Sequence, residues 1–158
     1  MDQNIWEYDD FIFKGDELKG MTATGKDKVK TGGQPDLVIP AVTPDGLPLK
    51  KIADNAFYRR GLTSVVIPDT VERIGYDAFG VCKLKEVKLP EALVNIEGFA
   101  FYRNKLAKVE FGSKVKRIEP SAFAMNELSE IALPETLEYI GASAFYKNAF
   151  ETITFPKA

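Results

Sequence analysis

The 158-residue sequence contains no histidine and a single cysteine, Cys82. Without histidine, the chain lacks the commonest general base and the commonest nitrogen ligand for metals. One cysteine can form neither an intrachain disulfide nor a thiolate metal cluster. These absences argue against an enzyme, and we predict no catalytic residues, no metal site and no cofactor.

The sequence also lacks a long apolar run and a strong net charge. No apolar stretch approaches the length of a membrane span. The acidic start, MDQNIWEYDDF, has none of the regions of a signal peptide. The formal net charge of −2 provides no basic footprint for nucleic acid. We therefore predict no nucleic-acid partner and no membrane insertion within this fragment.

What the sequence does contain is a repeat of 22 residues. An alanine–phenylalanine pair recurs at this interval, with the rings at Phe57, Phe79, Phe101, Phe123 and Phe145. Aliphatic columns keep the same register, for example Ile52, Ile74, Ile96, Ile118 and Ile140. A period in the twenties with leucine-type positions is the signature of a leucine-rich solenoid.

Each unit begins with an alternating segment such as LKEVKLP at 84–90. Val87 and Leu89 point inward there. The charged residues beside them, Glu86 and Lys88, point outward, and this period of two predicts a short strand. The return path is short and interrupted by glycine, so we expect extended turns and one helical turn. The predicted fold is an α/β-type repeat solenoid, a right-handed superhelix with one parallel strand per unit on its concave face and turns on its convex side.

The repeat divides the chain into two parts. Residues 1–36 lie outside the repeat, and we predict that they form an N-terminal capping β-hairpin, because a solenoid end exposes its apolar core. Residues 37–158 form the leucine-rich repeat domain, which comprises an irregular unit at 37–61, full units at 62–83, 84–105, 106–127 and 128–149, and a partial unit at 150–158. The chain stops at a strand edge, which is a liability in a folded protein. We therefore expect a fragment of a longer protein that continues with more repeats.

The repeat resembles that of the BspA-like, or Treponema pallidum-type, leucine-rich repeat family. The unit closest to the family pattern is LTSVVIPDTVERIGYDAFGVCK at 62–83, and the resemblance covers residues 37–158. The family's repeats are often one residue longer, and three units here carry asparagine where the family has cysteine. The resemblance implies a cell-surface or secreted bacterial protein, often an adhesin that binds a host or bacterial surface protein or glycan. It brings no catalytic residues to carry over.

Two outward columns of the strands form the first candidate binding surface, which we call the strand face. The first column is Ser64, Glu86, Lys108, Glu130 and Thr152, and the second is Val66, Lys88, Glu110, Ala132 and Thr154. In a parallel ladder Glu86 lies beside Lys108, and Lys88 beside Glu110. The surface is either a charged binding strip or a self-neutralised, solvated face. If it binds a ligand, a mixed polar protein surface or a glycan fits best.

Aromatic–basic pairs after alternate Ala-Phe motifs form the second candidate surface, which we call the turn ridge. The pairs are Tyr58–Arg59, Tyr102–Arg103 and Tyr146–Lys147, and small or apolar residues occupy the intervening units. Rings that stack and cations that attract anions would suit sugars or acidic groups. The alternative is steric, with each tyrosine covering the gap left by Gly80 or Ala124.

Three further patterns favour structure over chemistry. Cys82 shares a column with asparagines in the following units, which predicts a buried turn position that binds backbone groups. The acidic residues of the N-terminal part match no calcium loop, so we expect them to be solvated beside the hairpin turn. They are Asp9, Asp10, Asp16 and Glu17. The run KDKVK at 26–30 predicts a solvated loop.

The sequence contains no recognisable combination of a nucleophile and a base, which argues against an enzyme. Two functional hypotheses remain. The first is a ligand-binding or adhesive module of a bacterial surface protein. The second is a non-catalytic accessory module of a larger secreted enzyme, such as one that acts on glycans. Both hypotheses predict the same repeat domain.

Overall fold

The computed structural model describes residues 6–30 and 35–156, which form a solenoid of short strands and turns. The predicted repeat solenoid is therefore confirmed. No helix in the described part of the chain is long and apolar enough to cross a bilayer. A short 3₁₀ helix, Tyr8–Asp10, comes first. The elements that follow it in chain order are β1 Phe11–Lys14, β2 Glu17–Met21, α1 Ala23–Lys30, β3 Asp36–Val38, β4 Lys51–Ile52, β5 Ser64–Val66, β6 Arg73–Ile74, β7 Glu86–Lys88, β8 Asn95–Ile96, β9 Lys108–Glu110, β10 Arg117–Ile118 and β11 Tyr139–Ile140.

The units 62–83, 84–105 and 106–127 each contribute two short strands. The first strand of each unit is the one that the sequence predicts. These strands pair in parallel, β3 with β5 and β7 with β9. The second lies in the return path and belongs to a seven-stranded sheet of order β1-β2-β4-β6-β8-β10-β11. The prediction of one strand per unit is thus incomplete, because two residues such as Arg73–Ile74 are too few to show an alternating pattern.

The first strand predicted for unit 128–149 does not form. Between 119 and 156 the assigned strand is β11 alone, in the return path. Ile131 and Leu133, which would point inward from the missing strand, are only partly buried. Interior units pack between two complete neighbours, whereas only a partial unit follows this one, so its inward side chains lack the packing that holds the earlier strands.

Overlapping turns on the convex side carry each unit from its second strand to the next unit. Alternate N–H groups donate to the following unit, as from Phe57 to the Ala78 carbonyl at 2.7 Å. The groups between them bond within the unit, as from Tyr58 to the Asn55 carbonyl at 3.2 Å. Asn55 and Arg59 have positive φ values of 60° and 56°, and each turn repeats this pair four residues apart. A left-handed residue at this spacing interrupts right-handed helix, which is why no helix is assigned between 35 and 156.

The phenylalanine column forms a continuous ladder through the core. Successive rings stack with centroids 5.2–5.6 Å apart and interplanar angles of at most 14°. The first four rings are fully buried, and the fifth, Phe145, is partly buried. Aromatic pairs add about 0.5–1.5 kcal/mol beyond the burial of their area. The ladder therefore couples each unit to its neighbours and fixes the spacing between units along the two outward columns of the strand face.

Asparagine side chains form a second ladder beside the rings. The Oδ1 atom of Asn104 accepts the N–H of Leu84 at 3.0 Å. Its Nδ2 atom donates to the carbonyls of Phe79 and Phe101 at 2.9 and 3.1 Å. Two further asparagines of the column, Asn126 and Asn148, make equivalent bonds. The predicted role of this column in binding turn backbone is confirmed.

Cys82 occupies the same column and is also buried. Its Sγ atom donates a single hydrogen bond, to the Phe57 carbonyl at 3.2 Å. Burial raises the pKa of the thiol, and nearby backbone groups and Arg60 only partly oppose this effect. A buried thiol with a raised pKa is a poor nucleophile, in agreement with the structural role predicted for this column.

The predicted N-terminal hairpin forms and extends the seven-stranded sheet. β1 and β2 pair antiparallel, and β2 pairs parallel with β4, so that Leu18 lies opposite Ile52. Gly15, with φ of 60°, sits in the two-residue turn between the strands. Leu18 and Ile52 are fully buried, and the hairpin thereby covers the first turn of the core. The domain boundary placed after residue 36 stays a prediction.

The helix α1 corrects two expectations about the N-terminal part. KDKVK at 26–30 is the end of this helix and not a loop. Asp10, which we expected to be solvated, is only 1% exposed and forms an ion pair with Lys28 at 2.6 Å. Gly25 packs against the backbone of Asp10 and brings the helix onto the hairpin. Within the described residues no group of acidic or cysteine side chains could hold a metal ion.

Candidate functional site

A shallow groove with a volume of about 250 Å³ runs along the strand face. It contains four of the five charged residues that the sequence places on the strand face. The side chains that line it are Ser64, Val65, Val66, Glu86, Val87, Lys88, Lys108 and Glu110. Neighbouring depressions share Lys88, Lys108 and Glu110 with it and extend the surface to Glu130 and Ala132. Regular strand spacing thus gathers residues from separate units into one continuous surface.

The charges of the strand face are neighbours but not ion pairs. Glu86 lies in register with Lys108, and Lys88 with Glu110. Among the described residues, however, none of these four side chains forms a salt bridge. Their signs alternate as the sequence predicts, and each charged side chain is exposed. The groove therefore offers two acceptors and two cations to a partner.

An apolar patch adjoins these charges. Val38 and Val66 face each other in register, and they are 50% and 59% exposed. At the other end of the same strands, the Asp36 carboxylate accepts a hydrogen bond from the Ser64 hydroxyl at 2.7 Å. Val66 belongs to the second outward column of the sequence, whereas Val38 was not included in it. Extending the second outward column back by the irregular spacing of unit 37–61 would have found Val38.

The turn ridge lies on another side of the molecule, since none of its residues lines the groove. Its three pairs are not equivalent. Arg59 lies over the Tyr58 ring at 5.4 Å, and Lys147 over Tyr146 at 5.7 Å. Tyr102 instead packs edge-on against Phe99, with centroids 5.0 Å apart.

Arg103 and its two counterparts share a left-handed backbone, with φ values between 52° and 56°. This geometry comes from the alternating turn bonds described above, and it positions the three cations at the same place in every second unit. A non-glycine residue with positive φ persists only where the surrounding structure determines it. The ridge is consequently a rigid, repeated feature of the convex side.

The small residue between the first two tyrosines has a local cause. A side chain at Gly80 would collide with the carboxylate of Asp77 in the same turn. Asp77 Oδ1 is buried and has no hydrogen-bond partner among the described residues, and burial raises the pKa of this carboxyl group. The space beside Gly80 is thus filled by Asp77, and covering by a neighbouring tyrosine is not needed to explain the glycine.

Comparison with known proteins agrees with this architecture. Residues 50–158 match the BspA type leucine-rich repeat region, in six copies. The crystal structure of a T. pallidum leucine-rich repeat protein, TpLRR, has a TM-score of 0.79 with 28% sequence identity, and the match covers 93% of this chain and 69% of TpLRR. No curated protein sequence matches the chain.

Two further structures share the fold. A leucine-rich repeat protein from Bacteroides ovatus has a TM-score of 0.70 at 24% identity, over 92% of this chain and 39% of its own. The pneumococcal vaccine antigen PcpA has a TM-score of 0.66 at 19% identity, over 90% and 46%. The chain thus spans less than half of either protein. Because the family match covers more than half of its residues, the chain belongs to the BspA-type leucine-rich repeat family.

Proposed function

We propose that this chain is a ligand-binding, adhesive module of a bacterial surface or secreted protein and that it binds through the strand face. The observation that supports this function is the continuous groove, in which charges without salt bridges lie beside the exposed Val66, and Val38 adjoins this valine. A solvated face with no role has no need of exposed apolar area beside its charges. Binding is therefore the proposed activity of the groove.

The composition of the strand face favours a protein partner over a glycan. Protein interfaces combine an apolar centre with a polar rim. Val38 and Val66 supply the apolar part, and Glu86, Lys88 and Lys108 supply charges of both signs. A partner with the complementary pattern would gain orientation from the charges and desolvation from the valines. A glycan surface would instead call for exposed aromatic rings in the groove, and the lining contains none.

Paired substitutions test this surface. The strand-face variant Val66→Glu/Lys88→Glu changes one valine and one lysine in the groove. The matched control Val94→Glu/Lys116→Glu changes the same residue types at exposed positions of the return path. Both variants should keep the circular dichroism spectrum and melting temperature of the parent, since all four side chains are exposed.

Binding is measured by biolayer interferometry against purified host matrix proteins and bacterial surface proteins. We expect at least one protein to bind the parent and the control, and the strand-face variant to lose at least about tenfold in affinity, or 1.4 kcal/mol. Equal binding by the strand-face variant would overturn the proposed surface. Failure of the whole panel to bind the parent would overturn the adhesive function and leave the accessory module of a secreted enzyme as the better hypothesis.

A further inference from the structure

Five cations from three separate segments surround one depression at the cap end of the molecule. α1 contributes Lys26 and Lys30, the first turn contributes Arg59 and Arg60, and the next unit contributes Lys83. The depression has a volume of about 420 Å³, and Val29 forms an apolar part of its wall. We call it the basic pocket. The sequence separates these residues by up to 57 positions, and the fold brings them together.

No carboxylate lines the basic pocket. Within residues 6–30 and 35–156, none of its five cations forms a salt bridge. Cations elsewhere do find partners, as Lys28 does with Asp10 and Arg73 with Asp54. Five positive charges thus concentrate on a chain whose formal net charge is −2. Such a cluster repels itself unless an anion occupies it.

The fold holds this cluster in place. Lys26 and Lys30 are four residues apart on α1 and therefore share one face of the helix. The buried pair between Lys28 and Asp10 fixes the helix on the hairpin. The Arg59 N–H donates to the Gly80 carbonyl at 3.0 Å, which ties the first turn to the next unit. The cations are consequently presented by a structured frame, which lowers the entropic cost of binding.

We propose that the basic pocket binds a short segment of a sulfated polysaccharide. Several cations spread around one depression suit a chain with repeated anionic groups better than a single ion. Sulfate esters stay ionised at all physiological pH values, and guanidinium groups bind planar or tetrahedral oxyanions with two hydrogen bonds. The Tyr58 ring lies under the Arg59 guanidinium and supports that cation beside the pocket.

A sulfated glycan fits the rest of the molecule better than a nucleic acid. A long nucleic acid requires a basic stripe along a whole face. Here the strand face alternates in sign, and the overall charge is negative. A few sulfated sugars can occupy the pocket without reaching the acidic surfaces. The pocket is separate from the strand face, so this inference does not depend on the protein-binding function proposed above.

The salt dependence of the affinity shows how many cations of the basic pocket contact the polysaccharide, and its expected size can be calculated. Each cation–anion contact lowers the slope of log affinity against log salt by about 0.7 on a flexible polyanion. Five contacts then predict an affinity loss of about 100-fold between roughly 50 and 200 mM salt. The variant Lys26→Ala/Lys30→Ala/Lys83→Ala leaves two contacts, for which the loss over the same range falls to about sevenfold. The control Lys14→Ala/Lys114→Ala/Lys116→Ala removes the same charge from exposed sites elsewhere and keeps the parent slope.

The probe is a heparin-derived hexasaccharide, measured by isothermal titration calorimetry with the whole chain. A desulfated hexasaccharide, which keeps its carboxylates, and single-stranded DNA of equal charge serve as comparison ligands. We expect binding of the sulfated probe to exceed both. The proposal is overturned if the parent does not bind, if the desulfated probe or the DNA binds as well, or if the control variant weakens binding as much as the pocket variant. Thermal melting confirms that both variants are folded.

Discussion

The asparagine ladder predicts that two equally buried residues contribute different amounts to the free energy of unfolding. Asn104 and Asn126 are both 7% exposed and share three equivalent bonds. Asn126 adds a long bond of 3.4 Å to the Ala124 carbonyl, which the Arg103 N–H also reaches. Their neighbours in the column are not the same, because Cys82 precedes Asn104 whereas an asparagine lies on both sides of Asn126. We expect Asn104→Ala to destabilise the fold more than Asn126→Ala.

The magnitude follows from counting the backbone groups that lose every partner. Asn126→Ala leaves the Leu106 N–H unbonded, but the Phe101 and Phe123 carbonyls keep the amides of neighbouring asparagines. That single buried group costs about 1–3 kcal/mol in the free energy of unfolding.

Asn104→Ala leaves two groups without a partner. The Leu84 N–H and the Phe79 carbonyl bond to Asn104, and Cys82 directs its thiol to Phe57 instead of Phe79. The Phe101 carbonyl keeps a bond from Asn126 at 2.9 Å. Two buried groups at about 1–3 kcal/mol each give about 2–6 kcal/mol, roughly twice the effect at position 126.

Urea unfolding followed by far-ultraviolet circular dichroism measures both losses. The substitution Cys82→Asn gives the Phe79 carbonyl a second donor and therefore supplies an internal control. In that background the difference between Asn104→Ala and Asn126→Ala should shrink by about 1–3 kcal/mol. Equal losses for the two variants in the parent chain, or an unchanged difference after Cys82→Asn, would show that the bond count does not govern this column.

Three further perturbations follow from the structure. Lys28→Met leaves the buried Asp10 carboxylate without its cationic partner, with the Glu7 N–H still bonded to it, and should lower the free energy of unfolding by about 3–5 kcal/mol, measured by urea titration of Trp6 fluorescence. Asp77→Asn should raise stability at pH 7, because burial raises the pKa of Asp77 above its unfolded value and so penalises the ionised form in the folded state. This gain in stability should disappear as the pH falls through the folded pKa of Asp77. Thermal melting measures the gain, and a gain that does not depend on pH would contradict this explanation. Tyr102→Ala/Arg103→Ala should weaken glycan or acidic-ligand binding if the turn ridge is a binding surface, and unchanged affinity in a glycan array would exclude it.

Repetition explains how much of the fold the sequence could predict. One residue type recurs in a column because each unit packs between copies of itself, as in the phenylalanine and asparagine ladders. The strand register and the neighbouring charges of Glu86 and Lys108 follow directly from the same interval. The two-residue strands such as Arg73–Ile74 were missed although their isoleucines form one of the repeated aliphatic columns, because two residues are too few to show the alternation that marks a strand.

Features that occur only once in the chain could not be predicted from the repeat. α1 has no counterpart in another unit, and its position depends on the contact between Gly25 and the Asp10 backbone, which sequence spacing does not reveal. Lys28 appeared to belong to a solvated charge run, although its ammonium group pairs with a buried carboxylate. The basic pocket was missed for the same reason, since it combines a helix face with two turns that are distant in sequence.

The basic pocket and the Val38 end of the strand face lie where the repeat is least regular, whereas Glu86 and Lys108 belong to regular units. The physics of a solenoid explains why irregular positions can carry such residues. An interior position is constrained by two identical neighbours, so substitution there disturbs a ladder on both sides. In the first unit, by contrast, Arg60 occupies the column that elsewhere holds Cys82 or an asparagine, and Val38 belongs to a unit of irregular length. These positions do not pack between two identical neighbours, so they can carry side chains that face a ligand. Variation between related chains should therefore concentrate around the cap and the first two units, if binding and not stability selects those residues.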